Sequence, residues 1–132
     1  MKEIILNSEV IARYITQADI VKGLSFFSAE NENIQVGSWN YDKDKVLQKH
    51  IHNTIERKIY RTQEVLVVIS GSIEATIYSL EQKEVAKIKV SEGEILVLLN
   101  SGHGYKVLED LTKVIEIKNG PYLGSDIDRT RF

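Results

Sequence analysis

What most constrains this chain is a succession of short β-type runs, each closed by turn residues. "EVLVVIS" (64–70), "SIEATIYSL" (72–80), "EVAKIKV" (84–90), "EILVLL" (94–99) and "TKVIEIK" (112–118) are rich in Val and Ile, which fit a pleated surface. Gly71, "EQK" (81–83), "SEG" (91–93), "NSG" (100–102) and "NGP" (119–121) interrupt them. Upstream, "NIQVGSWNYDKD" and "KVLQKHIHN" read as two more strands or as one long bent strand, with Gly37 at a bulge. Only "TQADIVKGLSFFS" looks helical, and Gly23 weakens it. Short strands at hairpin-like spacing predict an all-β fold, an antiparallel sandwich or a closed barrel. Val65, Val67, Ile69, Leu96, Leu98, Ile115 and Ile117 are its expected core.

The length of 132 residues fits one domain around one core, and no Gly/Ser-rich linker divides it. We divide the chain into N-terminal strands or extension (1–33), a barrel core (34–118) and a C-terminal tail (119–132). "EIILNSEVIARYI" is too apolar to lie free. A net charge of −2 offers no basic footprint for nucleic acid. No apolar run is long enough to span a membrane, and the charged N-terminus is unlike a signal peptide, so a cytoplasmic protein is expected. Cysteine is absent, so any metal must be held by His, Asp, Glu or water.

The chain has 3 histidines: His50 and His52 in "HIH", and His103 in "NSGHGY". On a strand, His50 and His52 would share a face about 7 Å apart, close enough for both rings to reach one ion. Glu64 begins an otherwise apolar run and shares a face with Leu66 and Val68. Buried without a partner, that carboxylate would cost several kcal/mol. A metal ion is one such partner; Arg57 or Arg61 is the other.

The order His50-x-His52, Glu64, six residues to Gly71, then Gly93, an apolar run and His103 resembles the two motifs of the cupin superfamily. The resemblance spans roughly residues 34–118 and implies a cupin-type jelly-roll β-barrel with a metal near its mouth. Small cupins often pair through N-terminal strands, so it also implies a homodimer with a contact through "EIILNSEVIARYI". Carried over position by position, it makes His50, His52, Glu64 and His103 the metal ligands. The sequence departs from the pattern in three places. Residues 53–63 make a longer gap than the motif's usual one, the second motif lacks its proline, and Val107 stands where an asparagine is common. Three imidazoles and a carboxylate suit one divalent transition metal, whether Fe, Mn, Ni, Zn or Cu.

The long gap should form a hairpin beside the metal, with Arg57 and Arg61 pointing toward an anionic ligand or, alternatively, into solvent. Trp39, Tyr60 and Tyr105 are candidate pocket walls, and Tyr105 shares its face with His103. Tyr105, Tyr60 and Glu56 are the candidates for a general acid or base. The expected function is a small metal-dependent enzyme acting on a polar or anionic small molecule, a sugar or organic acid, by oxygenation, isomerisation or a related reaction. The alternatives are a ligand-binding or sensing module with the metal as anchor, and a non-catalytic barrel. The tail "NGPYLGSDIDRTRF" carries no catalytic pattern.

Overall fold

Each β-type run anticipated between residues 64 and 118 is a strand in the computed structural model, which describes residues 1–132. The strands are β1 (Lys2–Leu6), β2 (Glu9–Ile15), β3 (Gly23–Phe26), β4 (Gly37–Asn40), β5 (Glu64–Ser70), β6 (Ser72–Tyr78), β7 (Glu84–Ser91), β8 (Ile95–Leu98), β9 (Gly102–Val107) and β10 (Lys113–Lys118). One short helix, α1 (Ser125–Asp128), follows them. A five-stranded sheet runs β1-β2-β8-β5-β10, a three-stranded sheet β7-β6-β9, and β3 pairs with β4 alone. All pairings are antiparallel.

The two larger sheets face each other. Ile4, Ala12, Leu66, Val68, Leu96 and Leu98 from the first pack with Ile73, Ala75, Ile77, Ile88 and Val90 from the second. Fully burying one such side chain stabilises the fold by roughly 1.5–3 kcal/mol. The outer face of the five-stranded sheet is also covered: Ile15, Val65, Val97 and Leu99 pack with Phe27, Ile34 and Val36. Burial on both faces explains why β5 and β8 read as unbroken apolar runs rather than as an alternation. Arg13, itself buried, clamps this covering segment by hydrogen bonds of 2.6 and 2.7 Å to the two Glu32 oxygens.

Two glycines make the tight connections possible. Gly71 (φ +75°) turns β5 into β6, and a side chain there would press its Cβ to 3.0 Å from the Thr112 Cα. Gly93 (φ +75°) leads into β8, where a Cβ would collide with the Gln17 amide. Positive φ together with close approach leaves little choice but glycine.

Several expectations need correction. The strands form three separate sheets and do not close into a barrel. Residues 1–33 are no appendage, because β2 lies between β1 and β8 and contributes Ile11, Ala12 and Ile15 to the interior. Ile4, Ile11, Ala12 and Ile15 of this segment are buried within the chain itself, while Ile5 stays exposed on β1. The helical-looking stretch forms only a 3-10 turn (Gln17–Asp19) before β3, with Gly23 already at φ +99°. Of the upstream strands only β4 forms; residues 42–61 carry no strand and are exposed throughout.

Ile115 and Ile117 are 51% and 48% exposed, against their expected burial. The reason is register. Glu116 lies opposite Leu66 and Lys118 opposite Glu64, so Val114, Glu116 and Lys118 share the inward face of β10. The isoleucines therefore point outward, on the strand that forms the edge of the sheet. Ile69, 47% exposed, lies on the same outer side of neighbouring β5.

Candidate functional site

A basin of about 1030 Å³ opens between the sheets where β5 and β9 begin and β6 and β10 end. Its walls include Glu64, Tyr78, His103, Tyr105, Glu116 and Lys118. Each arrives by strand alternation. Glu64 continues the inward row of Leu66 and Val68, while Glu116 and Lys118 come from the register of β10. His103 pairs with Ile77 and Tyr105 with Ala75, both wholly buried residues, so the two rings enter from the inner face of β9.

At the floor, Lys118 Nζ donates to Glu64 Oε1 at 2.9 Å and to Glu116 Oε1 at 2.6 Å. The other Glu64 oxygen, Oε2, lies 3.3 Å from His103 Nε2. That contact is close enough for an ion pair but misaligned for a hydrogen bond. Glu64 Oε2, His103 Nδ1 and the Ser101 hydroxyl are all buried and without a hydrogen-bond partner. The His103 ring stacks on Tyr105, centroids 5.1 Å apart and planes inclined by 27°.

The charges reinforce one another. The hydrogen bond from Lys118 holds the Glu116 carboxyl below its ordinary range, with a smaller contribution from His103. Burial works against the charge on Lys118, but hydrogen bonds to Glu116 and Glu64 outweigh it and hold the ammonium above the usual lysine value. Although 40% of Tyr105 is exposed, burial of its phenol, and then the negative Glu64 and Glu116, push that group far up. Tyr105 therefore remains a phenol near neutrality, able to donate a hydrogen bond but unsuited to act as a base.

The residues singled out in the sequence divide sharply. Glu64, His103 and Tyr105 meet in the basin. His50 and His52 do not: they lie on the exposed segment, their rings 5.1 Å apart, with His50 Nδ1 3.1 Å from the Gln48 carbonyl. Arg57 and Arg61 are exposed on the same segment and do not line the basin, so neither is the cation that meets Glu64. Lys118 takes that place. Tyr60 is 90% exposed, and Trp39 stacks on Tyr41 outside the basin. For the five on residues 42–61 the physical reason is common: without strand pairing, nothing turns their side chains toward the sheets. Trp39 lies instead on β4, whose hairpin with β3 stands apart from the two larger sheets.

A transition metal would need three or four nitrogen and oxygen donors around one point. Nowhere do three of the chain's His, Asp and Glu side chains gather in that way. Glu64 and His103 alone converge, and the Lys118 ammonium already sits against the carboxylate. As placed, these residues do not fit the four-ligand ion expected from the motif.

Sequence reasoning missed Glu116, Lys118 and Ser101, and with them Arg129 and Arg131, which also line the basin. A signal for the first two existed. "TKVIEIK" alternates, and either of its faces could have been turned inward; choosing the isoleucine face hid the charged one. Comparison of the chain with protein-family models, curated proteins and solved structures finds no match.

Proposed function

We propose that this protein is a small cupin-like enzyme that binds a polar or anionic small molecule, a sugar or organic acid, in the basin and moves protons on it through Glu64 and His103. One observation carries this reading. A carboxylate only 9% exposed keeps an unpartnered oxygen 3.3 Å from an imidazole nitrogen, at the floor of an open basin. Buried polar atoms normally find partners, so an oxygen left without one just beneath the basin sets Glu64 apart from a purely structural carboxylate. Lys118 balances the Glu64 charge from the far side and leaves Oε2 facing His103. Two titratable groups so arranged suit isomerisation beside a carbonyl. One takes a proton from carbon while the other gives one to oxygen, and the reverse transfers complete the exchange. Tyr105 supplies a hydrogen bond and a flat wall.

The test is solvent exchange. Incubated in D₂O with a panel of sugar phosphates and hydroxy acids, the protein should wash deuterium into a carbon position of at least one compound, read by NMR. Glu64→Gln and His103→Gln should abolish the exchange, whereas His50→Ala/His52→Ala should leave it unchanged. No exchange with any member, or equal exchange in Glu64→Gln, would overturn the reading.

A second reading, the metal-dependent cupin, draws on one further observation. Residues 42–61 are exposed throughout, with no strand to hold His50 and His52 away from the basin. So long a structureless run is uncommon and often functional. Elemental analysis of tag-free protein separates the two. Stoichiometric metal that is lost in both His103→Ala and His50→Ala/His52→Ala would replace the first reading with the second.

A further inference from the structure

Resting on the reading of the basin as a ligand site, we propose that residues 128–132 complete it and that Arg129 and Arg131 bind the ligand's anionic group, a phosphate or carboxylate. Three cations line the basin: Lys118, Arg129 and Arg131. Lys118 is engaged by Glu64 and Glu116. The Asp128 carboxylate, also in the lining, accepts a hydrogen bond from the Thr62 hydroxyl at 2.7 Å. The two arginine side chains meet no carboxylate, which leaves both guanidinium forks free for an oxyanion.

Their placement is built rather than incidental. The Asp128–Thr62 bond fastens the segment at one end. At the other, the Phe132 ring meets Tyr78 edge-on, centroids 5.2 Å apart and planes at 88°. Gly102 accommodates that ring, since a Cβ there would stand 3.3 Å from Phe132 Cζ. Between these anchors the backbone is extended at Arg129 (φ −146°, ψ 147°). Arg129, Thr130 and Arg131 all border the basin, so the segment between the two anchors runs along its edge with both arginines in the lining.

The basin thus has two chemically distinct parts. Its floor exposes the His103 ring and the Tyr105 phenol, which suit hydroxyl or carbonyl groups, and beneath them lie the buried, unpartnered Glu64 Oε2, His103 Nδ1 and Ser101 hydroxyl. Its rim presents two arginines, whose planar forks match phosphate and carboxylate oxygens bidentately. A ligand with an oxyanion at one end and hydroxyl or carbonyl groups at the other satisfies both. This assigns to Arg129 and Arg131 the role that the sequence suggested for Arg57 and Arg61.

The experiment is an NMR titration of the full chain at constant ionic strength, following the backbone amides of residues 101–105 and 128–132. Inorganic phosphate and citrate are the probes, in separate arms that distinguish the two oxyanion chemistries. At least one should shift both groups of amides. Arg129→Gln/Arg131→Gln should weaken that binding by about tenfold or more, the loss expected for charge-assisted hydrogen bonds. Arg57→Gln/Arg61→Gln should leave it unchanged. Both variants alter exposed side chains, so unchanged thermal midpoints are expected to accompany the result. Binding that survives in Arg129→Gln/Arg131→Gln, or is lost in Arg57→Gln/Arg61→Gln, overturns the proposal. So does the absence of any shift with either anion. These outcomes are independent of the deuterium exchange that tests Glu64 and His103, so either idea can fail alone.

Discussion

Glu64 ties the stability of the fold to the basin it lines. It continues an inward row of apolar residues, yet it is charged, and Lys118 opposite it in the ladder meets that charge at 2.9 Å. Lys118→Met should therefore leave a buried carboxylate without its cation. The lysine side chain is 28% exposed, so the cost lies between that of a surface pair and a buried one, about 1–3 kcal/mol in urea unfolding. Glu64→Gln/Lys118→Met should recover most of it, because the isolated charge is gone. Unchanged stability in Lys118→Met would mean that water already satisfies Glu64. The motif pattern picked out Glu64 and His103, which both line the basin. It did not pick out Lys118, because the lysine's partner across the sheet depends on a register that no local pattern specifies.

Among the elements, β10 carries the clearest reversal. By hydrophobicity alone Ile115 and Ile117 belong inside; by register they lie outside. Ile115→Ser/Ile117→Ser should then cost less than about 1 kcal/mol per site, whereas Leu98→Ala, in the sealed interior, should cost about 2–5 kcal/mol. Chemical denaturation of both variants measures the difference. A loss of several kcal/mol per site in the β10 variant would show that the isoleucines are covered and the inward face misassigned. The segment before β5 teaches the complementary lesson. "HIH" has the spacing to place two imidazoles on one face, but that face exists only if the backbone is paired as a strand.

At the scale of the whole molecule, the ionisable groups set a window of stability. Burial, and then hydrogen bonding to Glu94, raise the Tyr14 phenol to about 12, while Tyr105 and Lys118 are also raised. Groups raised on folding stabilise below their unfolded pKa and lose that contribution as pH climbs through the folded one. On the acid side, Glu116 is lowered through Lys118, so its contribution is present above the unfolded carboxylate value and disappears as pH falls through the folded one. The denaturation midpoint should hold level near neutrality, then fall between about pH 10 and pH 12 as phenolate absorbance appears. A midpoint unchanged across that alkaline range would contradict the burial of Tyr14.

The sequence by itself determined the class of fold, because strand-forming runs, turn residues and unbroken apolar stretches such as "EVLVVIS" are local properties that survive in almost any tertiary arrangement. It also marked Gly71 and Gly93, whose positive φ angles belong to the turns themselves. Only the tertiary structure decided which polar residues share a site. Glu64 and Lys118 are brought together by strand pairing, His103 and Glu64 by the facing of two sheets, and Arg129 and Arg131 by anchors on Thr62 and Tyr78. Each of those contacts joins residues far apart in the chain. A one-residue change of register would turn Glu116 and Lys118 away from the basin while leaving the sequence pattern of β10 untouched.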